Sequence, residues 1–247
     1  DDFDRLLSRA HTLGLKVIID QVYAHSSDAH PWFSQSRQDR TNEKADWYVW
    51  RDPKPDGSPP NNWQAVFGGP SWTWDARRQQ YYMHNFLPSQ PQLNLHNMAV
   101  QDALLSVMRF WLERGVDGFR LDALNFALFD PDFRDNPPKE PPPRSVSRPF
   151  DLQEHVHNQS HPELTIFLRR LRELMDTYGD IFSVAEVPGP DPLAEMRAYT
   201  EGDRHLNSAY NFDFLYARQL TAGAVSASQA NWLGAEGEGW PSWAFSN

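Results

Sequence analysis

Cysteine is absent from this sequence of 247 residues. Without it the chain can form no disulfide framework, no thiolate metal site and no thiol nucleophile. The lack of disulfides suits a reducing compartment, so we expect a cytoplasmic protein. Long apolar runs are absent too. None approaches the roughly 20 residues that cross a bilayer as a helix, and we therefore expect no membrane partner.

Basic residues are scarce relative to acidic ones. The 23 Lys and Arg residues against 33 Asp and Glu residues give a formal net charge of -10. Nucleic-acid binding depends on clustered Lys and Arg, which this sequence lacks, so we expect no nucleic-acid partner. A neutral or cationic ligand fits this charge better. An aromatic content of 13% suits a packed core as well as sugar stacking, so it favours a carbohydrate site only weakly.

Three apolar stripes recur at helical spacing, and a glycine and a short apolar strand follow each of them. The stripes run from Phe3 to Leu13, Val100 to Leu112 and Leu164 to Tyr178, and the strands end at Asp20, Asp122 and Glu186. A weaker helix at 192–200 and segments at 206–214, 226–233 and 241–247 continue the alternation. This pattern is typical of parallel βα units, and we predict an α/β fold, a partial TIM (β/α)8 barrel.

Residues 21–98 interrupt the alternation with Pro, Gly, Asn, Trp and Tyr. The stretch is too long for an ordinary loop and predicts an inserted, loop-rich subdomain after the third barrel strand. We therefore assign residues 1–20 to the barrel as a helix plus strand 3, and residues 99–247 to the barrel from helix 3 through strand 7. Within the latter, the Pro-rich stretch 130–149 excludes a helix or a central strand and predicts an extended flap.

The three predicted strands bring acidic residues toward one place. In a parallel βα barrel the chemistry lies at the C-terminal strand ends, so we expect Asp20 with His25, Arg120 with Asp122, and Glu186 to converge. An arginine beside a carboxylate keeps that carboxylate ionised. Two carboxylates that flank a bond are what glycoside hydrolysis requires. Taken alone, however, a strand-end aspartate is more often a helix cap or a loop anchor.

The histidines give no metal-binding pattern. The spacings of His25, His30, His84 and His96 match no compact ligand motif. Structural or sugar-binding roles are favoured for them, and we expect neither a metal nor a cofactor among these residues.

Several segments of the chain resemble the α-amylase superfamily, glycoside hydrolase family thirteen. Three ordered signature segments are matched by Ile19 to His25, Gly118 to Asp122 and Val184 to Glu186. Longer matches to its bacterial α-glucosidase and oligo-1,6-glucosidase branch lie at 25–33, 45–50, 61–63, 67–69 and 81–94. The resemblance covers nearly the whole chain and implies the fold of that family.

The resemblance also implies a role for each candidate residue. Asp122 would be the nucleophile of a covalent glucosyl-enzyme, and Glu186 the general acid that later acts as the base, with retention of configuration. Arg120 would orient Asp122. Among the other substrate-binding candidates, His25, Phe67 and Phe86 would line the pocket of the non-reducing glucose, and Asp20 would be a structural member of the first signature.

The expected reaction is the release of glucose from short α-1,4-glucosides such as maltose. Ala123 follows the implied nucleophile, where relatives that favour α-1,6 bonds tend to carry Val and those that favour α-1,4 bonds carry Ala or Thr. Water is the default acceptor, and transfer to an alcohol or a sugar is the alternative, since a glucosyl-enzyme partitions between acceptors. A rival hypothesis is a catalytically silent barrel that acts as a binding or partner subunit, against which the intact Arg120, Asp122 and Glu186 argue.

The chain also departs from the family pattern. Ala24 replaces an Asn that commonly precedes the first-signature His, which removes support for a calcium site that uses it, and Gln92 stands where relatives usually carry Asp. Relatives continue after a segment like 245–247 with His-Asp, the third catalytic acid. We therefore expect that acid, the first two barrel strands, the last strand and a C-terminal β domain outside these 247 residues. A divalent cation could bind in the N-terminal part that lies outside these residues, and we expect the 247 residues alone to be inactive and poorly folded.

Overall fold

The computed structural model describes residues 1–143, 145–189, 191–232 and 240–244. In chain order the elements are α1 (Asp2–Thr12), β1 (Ile18–Val22), α2 (Pro31–Ser36), β2 (Trp50–Arg51), β3 (Trp72–Asp75), β4 (Gln80–Met83), α3 (Met98–Glu113), β5 (Gly118–Asp122), α4 (Leu164–Asp176), β6 (Phe182–Ala185), α5 (Pro192–Thr200), β7 (Ser208–Asn211), α6 (Asp213–Tyr216), α7 (Ala222–Trp232) and β8 (Trp240–Trp243). Short 3-10 helices lie at Leu124–Phe126 and Pro149–Leu152. No helix in the described ranges is long and apolar enough to cross a bilayer.

The chain divides into two compact units. The first contains Asp1–Gln21, Leu105–Leu124 and Glu163–Asn247, and the second contains Val22–Leu104 and Asn125–Pro162.

A five-stranded sheet organises the first unit, in the order β1-β5-β6-β7-β8. The strands from β5 to β8 are parallel to their neighbours, and a helix precedes each of them in the chain. This alternation confirms the predicted α/β fold and provides five of the eight strands of a (β/α)8 barrel. The last predicted strand begins within β8, whereas residues 245–247, after which we expect the third acid, lie outside the described residues.

Close backbone packing between β5 and β6 requires a glycine. A Cβ atom at Gly118 would lie 2.2 Å from the carbonyl oxygen of Phe182, the residue that pairs with it in β6. Real Cβ atoms do not approach a backbone oxygen this closely, so only glycine permits this register. The register in turn sets which residues of β5 and β6 lie side by side further along the strands.

Two details of the first unit differ from the sequence prediction. β1 continues to Val22, so Asp20 lies inside the strand and not at its end. The apolar run of the sequence ends at Asp20, but β1 extends for two more residues. In α1, Leu7 is buried while Leu6 and Leu13 of the predicted apolar stripe are exposed.

Aromatic side chains form the core of the second unit. Its antiparallel sheet has the order β2-β4-β3, with Trp72 opposite Met83. The buried cluster beside it consists of Val49, Trp63, Trp72, Met83 and Phe129. Trp63 is fully buried and its ring stacks on that of Trp72. Trp63 and Trp72 are therefore core residues of the second unit.

The segment 125–162 groups with the second unit, although the sequence analysis placed it in the barrel segment 99–247. Hydrogen bonds explain this. Asn62 donates through Nδ2 to the carbonyl oxygen of Asn136 (2.8 Å), and Trp63 donates through Nε1 to that of Arg134 (2.8 Å). The Pro-rich flap is therefore tied to the insert, and residues 99–104 also belong to this unit.

Candidate active site

The parallel register of β5 and β6 brings two carboxylates side by side. Asp122 is the last residue of β5, and Glu186 immediately follows β6. Leu121 pairs with Ala185, and the backbone N–H of Glu186 donates to the carbonyl oxygen of Leu121 (2.9 Å). Both acidic residues therefore lie at the C-terminal ends of neighbouring parallel strands, which is where βα barrels carry their chemistry.

A single guanidinium group joins three acidic side chains. Arg120 contacts Asp122 through Nη1, and the same atom lies 3.2 Å from Oδ1 of Asp20. Its Nη2 atom lies 2.6 Å from Oε2 of Glu186. The structure thus places Asp20, Arg120, Asp122 and Glu186 in one cluster, whereas His25, which we also expect there, belongs to the second unit.

Burial affects the pKa of Glu186 in this cluster. The side chains of Asp122 and Glu186 are only 28% and 26% exposed. Burial raises the pKa of Glu186, and the negative charge of Asp122 raises it further, against the opposing effect of Arg120. A carboxyl group whose pKa is raised in this way stays protonated to higher pH than usual and can act as a proton donor.

The turn after β5 is tied to Glu186. Ala123 has a φ of +38°, in the left-handed region, and is buried. Its backbone N–H donates to Oε2 of Glu186 (3.4 Å), and the N–H of Leu124 donates to the carbonyl oxygen of Glu186 (3.1 Å). The residue that follows Asp122 therefore helps to fix the position of the second acid.

The remaining candidates belong to the second unit, where they form a group of their own. The ring of Phe86 lies 5.3 Å from that of His25 and 6.0 Å from that of Phe67. Phe67 is 65% exposed, although it is a large apolar residue. Phe86 thus lies next to both the exposed Phe67 and the half-buried His25, and such a set of rings is suited to contact one face of a sugar ring and its hydroxyl groups.

Phe67, Phe86 and His25 form the aromatic group of the second unit, and sequence reasoning missed two residues that contact it, Phe126 and Gln90. The Phe126 ring lies 5.0 Å from that of Phe86, and Nε2 of Gln90 lies 3.0 Å from Nε2 of His25. Position along the chain gave a signal for both. Phe126 ends the 3-10 helix that follows β5, and Gln90 lies within the segment 81–94 that matches the family.

Nothing in the described ranges offers a metal cluster, since no three His, Cys, Asp or Glu side chains there are arranged to hold an ion. His84 instead lies with Nε2 2.9 Å from Oγ1 of Thr73, and burial lowers its pKa.

Comparison with known proteins identifies the family to which the chain belongs. The model of the alpha-amylase catalytic domain matches residues 1–235, and the chain belongs to this family. It is 51% identical over 253 residues to a probable alpha-glucosidase of Rhizobium meliloti (strain 1021), across 100% of this chain and 46% of that protein. It is 38% identical over 217 residues to an oligo-1,6-glucosidase of Heyndrickxia coagulans, across 87% of this chain and 37% of that protein.

Two solved structures superpose closely on this chain. The crystal structure of an alpha-glucosyl transfer enzyme superposes with a TM-score of 0.94 at 50% identity, over 100% of this chain and 46% of that one. A trehalose-6-phosphate hydrolase of Bacillus licheniformis gives a TM-score of 0.83 at 31% identity, over 97% of this chain and 43% of that one. The chain spans about half the length of the relatives that it matches.

Proposed function

We propose that this chain carries the nucleophile and the general acid of a retaining α-glucosidase that releases glucose from the non-reducing end of short α-1,4-glucosides such as maltose. The main support is the contact of one guanidinium, that of Arg120, with both Asp122 and Glu186. The relatives named as glucosidases support the substrate class.

The first step forms a covalent intermediate. Protonated Glu186 donates its proton to the glycosidic oxygen while a carboxylate oxygen of Asp122 attacks C1 of the glucose. The bond between C1 and the leaving oxygen breaks, and an ester between Asp122 and the sugar forms. Because burial raises the pKa of Glu186, its carboxyl group keeps the proton at pH values above those at which a glutamic acid ordinarily loses it.

The second step returns the enzyme to its starting state. Glu186, now ionised, accepts a proton from water, and the oxygen of that water attacks C1 and releases Asp122. While the ester exists, Asp122 carries no charge, so the Arg120 guanidinium acts mainly on Glu186 and favours its ionised form. One arginine thereby supports the nucleophile in the first step and the base in the second.

The acceptor and the linkage form the finer part of the proposal. Ala123 supports the α-1,4 bond through the family pattern. The 50% identity to an alpha-glucosyl transfer enzyme supports transfer of glucose to an alcohol or a sugar beside hydrolysis. Both outcomes use the same glucosyl-enzyme, which partitions between water and a bound acceptor.

The test uses the complete protein and its Asp122→Asn variant. We expect the wild type to cleave maltose faster than isomaltose, with α-glucose as the first product in a proton NMR time course. The variant should lose turnover by about 10⁴-fold, because the amide cannot form the ester. Wild-type inactivity with intact glucose binding would favour the silent-barrel rival, and an active variant would remove Asp122 from the nucleophile position.

A further inference from the structure

Gln92 is a wholly buried glutamine with both ends of its amide in use. Its Oε1 accepts a hydrogen bond from Nδ2 of Asn85 (2.9 Å), and its Nε2 donates to the carbonyl oxygen of Phe126 (2.9 Å). Its backbone N–H donates to the carbonyl oxygen of Met83 (2.9 Å). A buried amide with these partners is fixed in one orientation, since rotation about its last bond would leave polar atoms without partners.

The two side-chain bonds of Gln92 end beside the aromatic group of the second unit. Asn85 precedes Phe86 in the chain, and the ring of Phe126 itself lies 5.0 Å from that of Phe86. Gln92 also forms an antiparallel bridge with His25. Gln92 therefore connects, by its side chain and its backbone, the three residues His25, Phe86 and Phe126.

Further amides continue the connection into the flap. Oδ1 of Asn85 accepts from Nδ2 of Asn158 (3.3 Å), and Oδ1 of Asn158 accepts from Nδ2 of Asn136 (2.8 Å). Asn85, Asn136 and Asn158 are all buried. Each amide donates to the next in the same direction, from Asn136 to the carbonyl oxygen of Phe126, and such a chain strengthens its members cooperatively.

We propose that Gln92 is a positioning residue that holds His25, Phe86 and Phe126 in the arrangement that binds the non-reducing glucose. The inference rests on the proposed function, and it assigns to Gln92 a role in the affinity for glucose and not in bond cleavage. It also explains the residue type. An ionised carboxylate at position 92 would accept from Asn85 but would have no hydrogen to donate to Phe126, whereas an amide does both.

The test exploits the one state in which an acid can replace this amide. In Gln92→Glu, a protonated carboxyl offers one donor and one acceptor, enough for the two side-chain bonds that the amide makes here, and burial raises the pKa of such a group. We expect the KM for maltose and the Ki of glucose to match the wild type at acidic pH. Both should rise about tenfold relative to the wild type as the carboxyl ionises, while the ratio of kcat values stays within about threefold.

Two further variants separate positioning from folding. Gln92→Met has similar length but neither donor nor acceptor, so its defect in KM and Ki should be present at every pH. Gln101→Glu is the matched control, because Gln101 is also buried and donates through Nε2 to a carbonyl oxygen, that of Leu95 (2.7 Å). It should keep wild-type KM and Ki, even where its Tm falls.

The outcomes distinguish this inference from the proposed function. If wild-type turnover is normal and the Gln92 variants lower Tm without changing KM or Ki, Gln92 is only structural and the inference is wrong. A KM defect of equal size in Gln101→Glu would also overturn it. If the wild type neither cleaves α-glucosides nor binds glucose, the proposed function fails first and the inference fails with it.

Discussion

The Nη2 atom of Arg120 lies 2.6 Å from Oε2 of Glu186, and the other terminal nitrogen of the same guanidinium contacts Asp122. The planar fork of an arginine is what allows one positive charge to serve two carboxylates in a fixed geometry. In the proposed mechanism these carboxylates exchange ionisation states between the two steps. Their shared partner therefore influences both steps, and a change at Arg120 is not confined to the nucleophile.

We predict that Arg120→Lys in the complete protein lowers kcat for maltose by about a hundredfold or more, because a single ammonium cannot reproduce two directed contacts. The measurement is steady-state kinetics on maltose with circular dichroism to confirm folding. Arg109→Lys is the control, since Arg109 is exposed in α3 of the same unit. Equal effects of the two substitutions would show that the loss is not specific to the contacts of Arg120 with Asp122 and Glu186.

Glu186 should determine the basic limb of the pH profile. A general acid must be protonated, and the raised pKa of Glu186 extends its protonated fraction upward in pH. The value of kcat/KM should then fall as pH rises through that raised pKa. Glu186→Gln should remove this limb and lower kcat for maltose by about 10²–10⁴-fold.

The leaving group provides the internal control for this prediction. 4-Nitrophenolate leaves with little help from an acid, so the first step on an aryl α-glucoside should suffer much less in Glu186→Gln than the first step on maltose. Single-turnover release of nitrophenol measures that step directly. An equal loss on both substrates, or a basic limb that persists in the variant, would contradict the assignment of Glu186 as the proton donor.

The side-by-side placement of Asp122 and Glu186 could be predicted because it needed only local patterns, while their catalytic roles stay predictions. A glycine after an apolar stripe marks each helix end, and Asp122 and Glu186 end short apolar runs that the parallel sheet then aligns. The attachment of the flap and the surroundings of Gln92 depend on contacts between residues far apart in the chain, such as Asn62 with Asn136. The spacing of residues in the sequence does not reveal such contacts. Neither the membership of 125–162 in the second unit nor the partners of Gln92 could therefore be predicted.

Gly118 provides a test of the register that aligns the two acids. A Cβ at this position would meet the carbonyl oxygen of Phe182 at 2.2 Å, so Gly118→Ala must displace β5 from β6. We expect a loss of about 3 kcal/mol in the free energy of unfolding, and a lower kcat in the fraction that folds. Urea unfolding and steady-state kinetics measure the two effects.

The same substitution at Gly223 is the matched control. Gly223 lies in α7, and a Cβ there would have its nearest neighbour at 3.8 Å. Since alanine is a better helix former than glycine, Gly223→Ala should raise stability by up to about 1 kcal/mol. If Gly118→Ala were equally harmless, the close approach of β5 and β6 would not be what fixes the register.

Asp117 gives the first unit a dependence on pH that is separate from the candidate active site. Its carboxylate accepts from the backbone N–H of Val17 (2.8 Å) and from Nζ of Lys16 (2.9 Å), and Nε2 of His11 lies 2.7 Å away. Burial alone would raise the pKa of Asp117, but these hydrogen bonds outweigh it and lower the pKa to about 2. In the unfolded chain the pKa of an aspartate is about 3.9.

The sign of the effect follows from this depressed pKa. The ionised form stabilises the fold at pH values above about 4, and the contribution is lost as the pH falls toward 2. Because Lys16 and His11 are themselves exposed, we expect about 1–2 kcal/mol from this group. Asp117→Asn should lose that amount at neutral pH, and the difference from the wild type should shrink as the solution is acidified from pH 5 to pH 3.

Asp2→Asn, which changes a 95% exposed side chain, should cost less than about 0.5 kcal/mol at every pH. Urea unfolding across this pH range measures all three proteins, and a constant difference between Asp117→Asn and the wild type would show that the ionisation of Asp117 does not support the fold.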